Sequence, residues 1–128
     1  NPPRLCTLDQ QRPDSWYGAM KGMAETAGRY LVDSAAICFI AIRIGSFSGQ
    51  TEPSSLRLCS TLLTPRDCVQ LFGLALDYEG PKNFLVVYGA SNNRDGEYCG
   101  FLDISSAIDE LGYQPNDYIA RYRQRFES

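Results

Sequence analysis

The 128-residue chain contains no histidine. That removes the side chain most often used to move protons near neutral pH and one of the two usual zinc ligands. Its five cysteines, Cys6, Cys38, Cys59, Cys68 and Cys99, are odd in number, lie far apart and form no C-x-x-C pair, so no metal site is expected. A reduced, cytoplasmic setting suits such a set, and Cys38, inside an apolar run, is expected to behave as a small hydrophobe. Lysine is nearly absent too: only Lys21 and Lys82 accompany ten arginines. A formal net charge of -3 and a pI near 4.8 leave no basic field for a polyphosphate backbone, and no nucleic-acid partner is expected.

Long hydrophobic runs are also missing. The longest, Ala35 to Ile42, is far short of the roughly 20 residues that a membrane helix needs, so no membrane span is expected. The chain opens on Asn1-Pro2-Pro3-Arg4 rather than on methionine or a charged-then-apolar leader, which reads as an excerpt or a processed piece. What is present is 44% hydrophobic content with 12% aromatics, enough for one globular unit over residues 1–128.

From Ser15 to about Ala36, Ala19, Met20, Met23, Ala24, Ala27 and Leu31 recur at helical spacing, with Asp14 or Ser15 as the N-cap. Ile37 to Ile44, without a polar face, reads as a strand covered on both sides, as in a parallel sheet between helices. Gly45 to Leu63 reads as loop. Thr64-Pro65-Arg66-Asp67 then starts a helix through Val69, Leu71, Phe72, Leu74 and Ala75: a capping threonine, a proline at the first helical position and an acid in the first turn. Phe84 to Tyr88 is a second short strand, Asn92 to Gly96 a polar turn, and Ile104 to Leu111 a helix capped by Gly112. Tyr118 to Phe126 closes the chain as a helix whose Arg121, Arg123 and Arg125 are expected on a solvated face. Helix, strand, helix, strand, helix belongs to the α/β class, yet two parallel strands do not make a self-sufficient sheet.

Among these elements one pair carries chemistry. Tyr17 and Lys21, four apart, stand one above the other on a helix. An ammonium near a phenol favours the phenolate, so Tyr17 becomes a general acid/base and Lys21 the group that tunes it. The plain alternative is a solvated helix face, because uniform placement of eight tyrosines and two lysines yields such a spacing in roughly one chain in eight.

The flanking residues weigh against coincidence. R-P-D-S-W-Y-G-A-M-K with Glu25 is followed by A-I-R-I-G-S at Ala41 to Ser46, by Arg57 leading into S-T-L-L-T-P-R-D at Ser60 to Asp67, by V-V-Y-G-A-S-N at Val86 to Asn92, and by L-G-Y-Q-P-N-D at Leu111 to Asp117. In this order the motifs resemble the extended short-chain dehydrogenases of the NAD-dependent epimerase/dehydratase family, closest in pattern to the uronate dehydrogenases. The resemblance covers nearly the whole chain. It implies a fold that is the C-terminal half of a Rossmann-like, doubly wound parallel sheet, lacking the N-terminal dinucleotide-binding strands.

By that resemblance, Tyr17 takes the proton of a sugar hydroxyl, and Lys21 activates it and holds the nicotinamide ribose of NAD. Ile44 and Gly45 lie beside the nicotinamide, Ser46 contacts the substrate, and Arg57 holds the carboxylate of a sugar acid with paired hydrogen bonds. Glu25 is expected in a helix-surface or interhelical contact, and Arg43 to alternate out of the strand core. The glycine-rich turn that cradles the pyrophosphate is absent, as is the serine expected on the strand before Tyr17. The isolated chain is therefore expected to bind NAD weakly or not at all and to be inactive, its partner being the missing N-terminal half or another copy of the chain. A nucleotide-sugar epimerase or dehydratase is the alternative inside the family, disfavoured by the short tail after Asn92. Outside it stands a truncated, non-catalytic half-domain that binds a partner chain.

Overall fold

The computed structural model describes residues 4–127. Helix α1 (Trp16–Ser34) begins where Ser15, in an extended conformation, accepts a hydrogen bond on its side-chain oxygen from the Gly18 amide at 3.1 Å. Strand β1 (Phe39–Ile44) follows, then a surface loop and one turn of helix, α2 (Leu58–Thr61). Helix α3 (Pro65–Leu76) starts as its sequence predicts, with the Thr64 hydroxyl accepting from the Asp67 amide and Pro65 at the first position.

Strand β2 (Phe84–Gly89) pairs with β1 in parallel, Phe39 opposite Phe84 and Ile44 opposite Gly89. A two-residue antiparallel ribbon, β3 (Arg94–Asp95) and β4 (Tyr98–Cys99), precedes α4 (Ser105–Leu111) and a closing 3-10 helix (Ala120–Arg125). Gly112 ends α4 in the left-handed conformation at φ 69°, its amide bonded to Ile108 and that of Tyr113 to Ala107, which is the cap that a glycine there implies. The α/β expectation holds.

Side chains alternate across β2. Leu85 and Val87 enter a core with Leu71, Ile104, Ala107, Leu111 and Tyr113, whose hydroxyl donates to the Ala90 carbonyl at 2.9 Å. The opposite face, carrying Phe39, Arg43, Phe84 and Tyr88, lies towards α1, where the Phe39 and Phe84 rings stack at 5.8 Å and Gly28 is buried against Phe39.

Several expectations need correction. The apolar run from Ile37 is a strand only from Phe39, and it is half-exposed rather than covered on both sides, because among the described residues β1 has β2 as its single partner. Cys38 is exposed, not a buried hydrophobe. The stretch read as loop up to Leu63 contains α2, too short for any periodicity to reveal. The polar turn after Asn92 opens the β3–β4 ribbon, and the tail is 3-10 rather than α. Of its arginines, Arg121 and Arg125 are exposed as expected, 4.9 and 4.5 Å from the Tyr122 ring centroid, whereas Arg123 is half-buried, 4.5 Å from that of Tyr98.

Candidate active site

The cap at Ser15 fixes where α1 begins, and with it the direction of the first two turns. Tyr17 and Lys21 emerge there on one side of the helix, with the Lys21 ammonium 5.3 Å from the centroid of the Tyr17 ring. The cation sits over the ring, so the pair is assembled through the aromatic face. Tyr17 is 69% exposed, leaving its hydroxyl accessible to a bound molecule. A cleft of about 440 Å³ lies between α1, the segment before it and the sheet, lined by Gln11, Gly18, Lys21, Glu25, Arg43 and Tyr88.

The centre of that cleft is an ion pair that spacing alone did not reveal. Arg43 of β1 donates to both carboxylate oxygens of Glu25, at 2.7 and 2.8 Å, and its guanidinium lies 5.5 Å from the Tyr88 ring centroid. Gln11 donates to the same carboxylate at 2.5 Å. Held by Glu25 despite partial burial, the guanidinium stays protonated well above its ordinary range. Glu25 therefore joins helix to strand rather than helix to helix.

Thr61 links Ser46 to the backbone of Arg57. At the end of β1 the Ser46 amide donates to the Thr61 carbonyl at 2.8 Å, and the two hydroxyls meet at 3.0 Å. The Thr61 hydroxyl in turn donates to the Arg57 carbonyl at 3.2 Å. This approach requires glycine at position 45, where a Cβ would stand 2.4 Å from the Thr61 carbonyl oxygen. Ile44, beside it, is 41% exposed. Arg57 is exposed at the start of α2, and its guanidinium joins none of the ion pairs found among the described residues. No hydrogen bond among the described residues joins the Tyr17–Lys21 pair to the Ser46–Thr61–Arg57 group.

Ser91 is fully buried, receiving the Thr64 amide at 3.1 Å, which makes Gly89-Ala90-Ser91 a structural corner. Burial pushes the Cys59 and Cys68 thiols up, away from the nucleophilic thiolate. The exposed phenol of Tyr17 and ammonium of Lys21 have the chemistry for proton transfer. They also suit a cofactor's ribose hydroxyls, which take hydrogen bonds from both. The described residues offer no glycine-rich turn for a pyrophosphate.

No protein-family model matches the chain. It is 33% identical over 120 residues to an NAD-dependent glucose-6-phosphate dehydrogenase of Haloferax volcanii, covering 93% of this chain and 44% of that protein. It is 36% identical over 118 residues to a uronate dehydrogenase of Pseudomonas putida, covering 92% and 41%. Among solved structures, uronate dehydrogenase from Agrobacterium tumefaciens superimposes with a TM-score of 0.76 at 30% identity, covering 96% of this chain and 43% of that one. The chain is homologous to uronate dehydrogenase and related NAD-dependent sugar dehydrogenases. It spans under half the length of the curated relatives it matches. A tyrosine-to-alanine mutant of the Agrobacterium uronate dehydrogenase is known in complex with NAD. The Rossmann-like kinship expected from the motifs holds, carried here by one parallel strand pair with helices on both faces.

Proposed function

We propose that residues 1–128 act as one unit, the C-terminal half of a cytoplasmic NAD-dependent dehydrogenase that oxidises a hydroxyl of a sugar acid. Tyr17 is the acid/base: as the substrate C–H bond breaks, its phenolate takes the hydroxyl proton and the carbon becomes a carbonyl. NAD, when bound, would supply the hydride acceptor. Lys21 stabilises the phenolate and bonds the nicotinamide ribose, while Ile44 and Gly45 border the nicotinamide. Ser46 and Arg57 hold the sugar acid, Arg57 presenting its planar fork to the carboxylate.

The observation that carries this reading is the Tyr17–Lys21 pair at the capped start of α1, with the ammonium 5.3 Å from the phenol ring centroid and the tyrosine open to a ligand. Of four curated relatives, two are named uronate dehydrogenases and one for a sugar phosphate, which supports an anionic sugar, whereas the fourth, an L-arabinose 1-dehydrogenase, is named for a neutral one. The decisive test is Tyr17→Phe in the full-length protein. Turnover is expected to fall by about 10²–10⁴ with NAD binding retained; unaltered turnover would remove Tyr17 from the chemistry.

A second reading, a half-domain that only binds a partner chain, is favoured by the outer side of α1, where Trp16, Met23 and Tyr30 are 85%, 66% and 71% exposed. The missing N-terminal half or a second copy would cover such a surface. Titrating NAD into the isolated chain separates the readings from a self-sufficient enzyme: micromolar affinity contradicts both.

A further inference from the structure

The loop between Ser46 and Arg57 is almost wholly exposed, and without regular structure it needs external contacts to hold Arg57 in one place. Its base is stitched by the Ser46 amide to Thr61 and the Leu63 amide to Ser46, both at 2.8 Å. The far side is held by the arginine run of the tail. Arg125 meets the Glu52 carboxylate at 3.2 Å, next to Pro53, the buried residue of the loop. Tyr122 presents its ring to both Arg125 and Arg121, and its hydroxyl accepts from Arg121 at 2.9 Å. Tyr122 and Arg125 together hold the Glu52 carboxyl below its ordinary range.

The same tail reaches the other end of the loop through a second tyrosine. Arg123 lies over Tyr98, whose hydroxyl is 2.7 Å from that of Ser60 in α2, the turn that begins directly after Arg57. The 3-10 helix thus grips the loop at Glu52 and at α2, through arginines stacked on aromatic rings. Arginine serves both contacts at once because its plane stacks while its edge donates.

We propose that the C-terminal 3-10 helix clamps the Ser46–Arg57 loop, with Arg125 on Glu52 as the latch, and that Arg125 is a positioning residue for the anionic sugar held by Arg57. The proposal rests on the reading of Ser46 and Arg57 as substrate contacts.

The test compares wild type, Arg125→Glu and the swapped pair Arg125→Glu with Glu52→Arg. In hydrogen exchange, the amides of Leu58, Cys59 and Ser60, whose acceptors on Ser55, Leu56 and Arg57 lie in the loop, are expected to exchange about two- to five-fold faster in Arg125→Glu, the scale set by an exposed ion pair, and to recover in the swap. In the full-length enzyme the KM for the sugar acid rises by a similar factor and recovers in the swap, with kcat and the KM for NAD unchanged. Unaltered exchange overturns the clamp. Faster exchange with an unaltered sugar KM overturns the positioning role and the substrate reading of the loop, whereas Tyr17→Phe tests the chemistry independently.

Discussion

The two faces of the β1–β2 pair carry similar apolar content and meet different fates. Towards α3 and α4, Leu85 and Val87 are 5% and 0% exposed and pack with Leu71 and Tyr113 into a closed core. Towards α1 every β2 side chain is half-exposed, and α1 turns Gly28 and Val32 inward while leaving Trp16, Met20, Met23 and Tyr30 open. Apolar periodicity therefore marks a face as needing cover without saying what supplies it. The β2 side chains of the closed face are buried by the described residues, whereas β1 is half-exposed on both faces and the outer side of α1 has no cover among the described residues.

The largest test of this contrast is a matched pair of truncations. Leu71→Ala removes a fully buried side chain and is expected to cost about 2–5 kcal/mol in urea unfolding. Met23→Ala, at a position 66% exposed, is expected to stay within about 0.5 kcal/mol. A Met23→Ala cost that approaches that of Leu71→Ala, and grows with protein concentration, would mean that the α1 face is covered in solution.

Local chemistry was legible in the sequence, and placement was not. Thr64-Pro65-Arg66-Asp67 and Gly112 mark helix ends because caps depend on residues a few positions apart, and both ends lie where they were expected. The proximity of Tyr17 and Lys21 on α1 was readable for the same reason. The Glu25–Arg43 lock was not, since its partners lie on different elements whose approach only the fold decides. The link from Ser46 through Thr61 to Arg57 depends on α2, a single turn that leaves no periodic trace. Arg121 and Arg125 are exposed as charge in a tail signals, whereas Arg123, half-buried over the Tyr98 ring, departs from that signal because its aromatic partner lies on a distant ribbon.

An intermediate effect is expected where the open face is pinned. Glu25 and Arg43 have side chains 14% and 22% exposed, so Glu25→Gln leaves a half-buried guanidinium short of its charged partner, at a cost of about 1–3 kcal/mol. Adding Arg43→Met should recover part of that loss, because the stranded cation is then gone; a double-mutant cycle measures the coupling. A coupling near zero would show that α1 is held by Gly28 and Phe39 packing alone, and the open face would then lack a polar lock.

The smallest effect belongs to the closed region and depends on pH. Burial pushes the Asp103 and Asp117 carboxyls up. The Ser105 amide and hydroxyl with Arg4 and Arg94 at Asp103, and Thr64 with Arg66 at Asp117, outweigh it and hold both below the usual carboxylate range. A carboxyl lowered in the folded state binds its proton more readily when the chain unfolds. Its contribution is therefore complete above the unfolded value of about 3.9 and is lost as pH falls through the lower folded value. Melting temperature should thus be flat at neutral pH and decline below about pH 4. In Asp117→Asn the plateau should be lower and the acid decline shallower, because the uncharged amide loses the pair with Arg66 at every pH. An acid limb identical in Asp117→Asn, Asp103→Asn and wild type would mean that neither carboxylate ties the 113–117 turn and the start of α4 to the core, and that the closed face relies on packing alone.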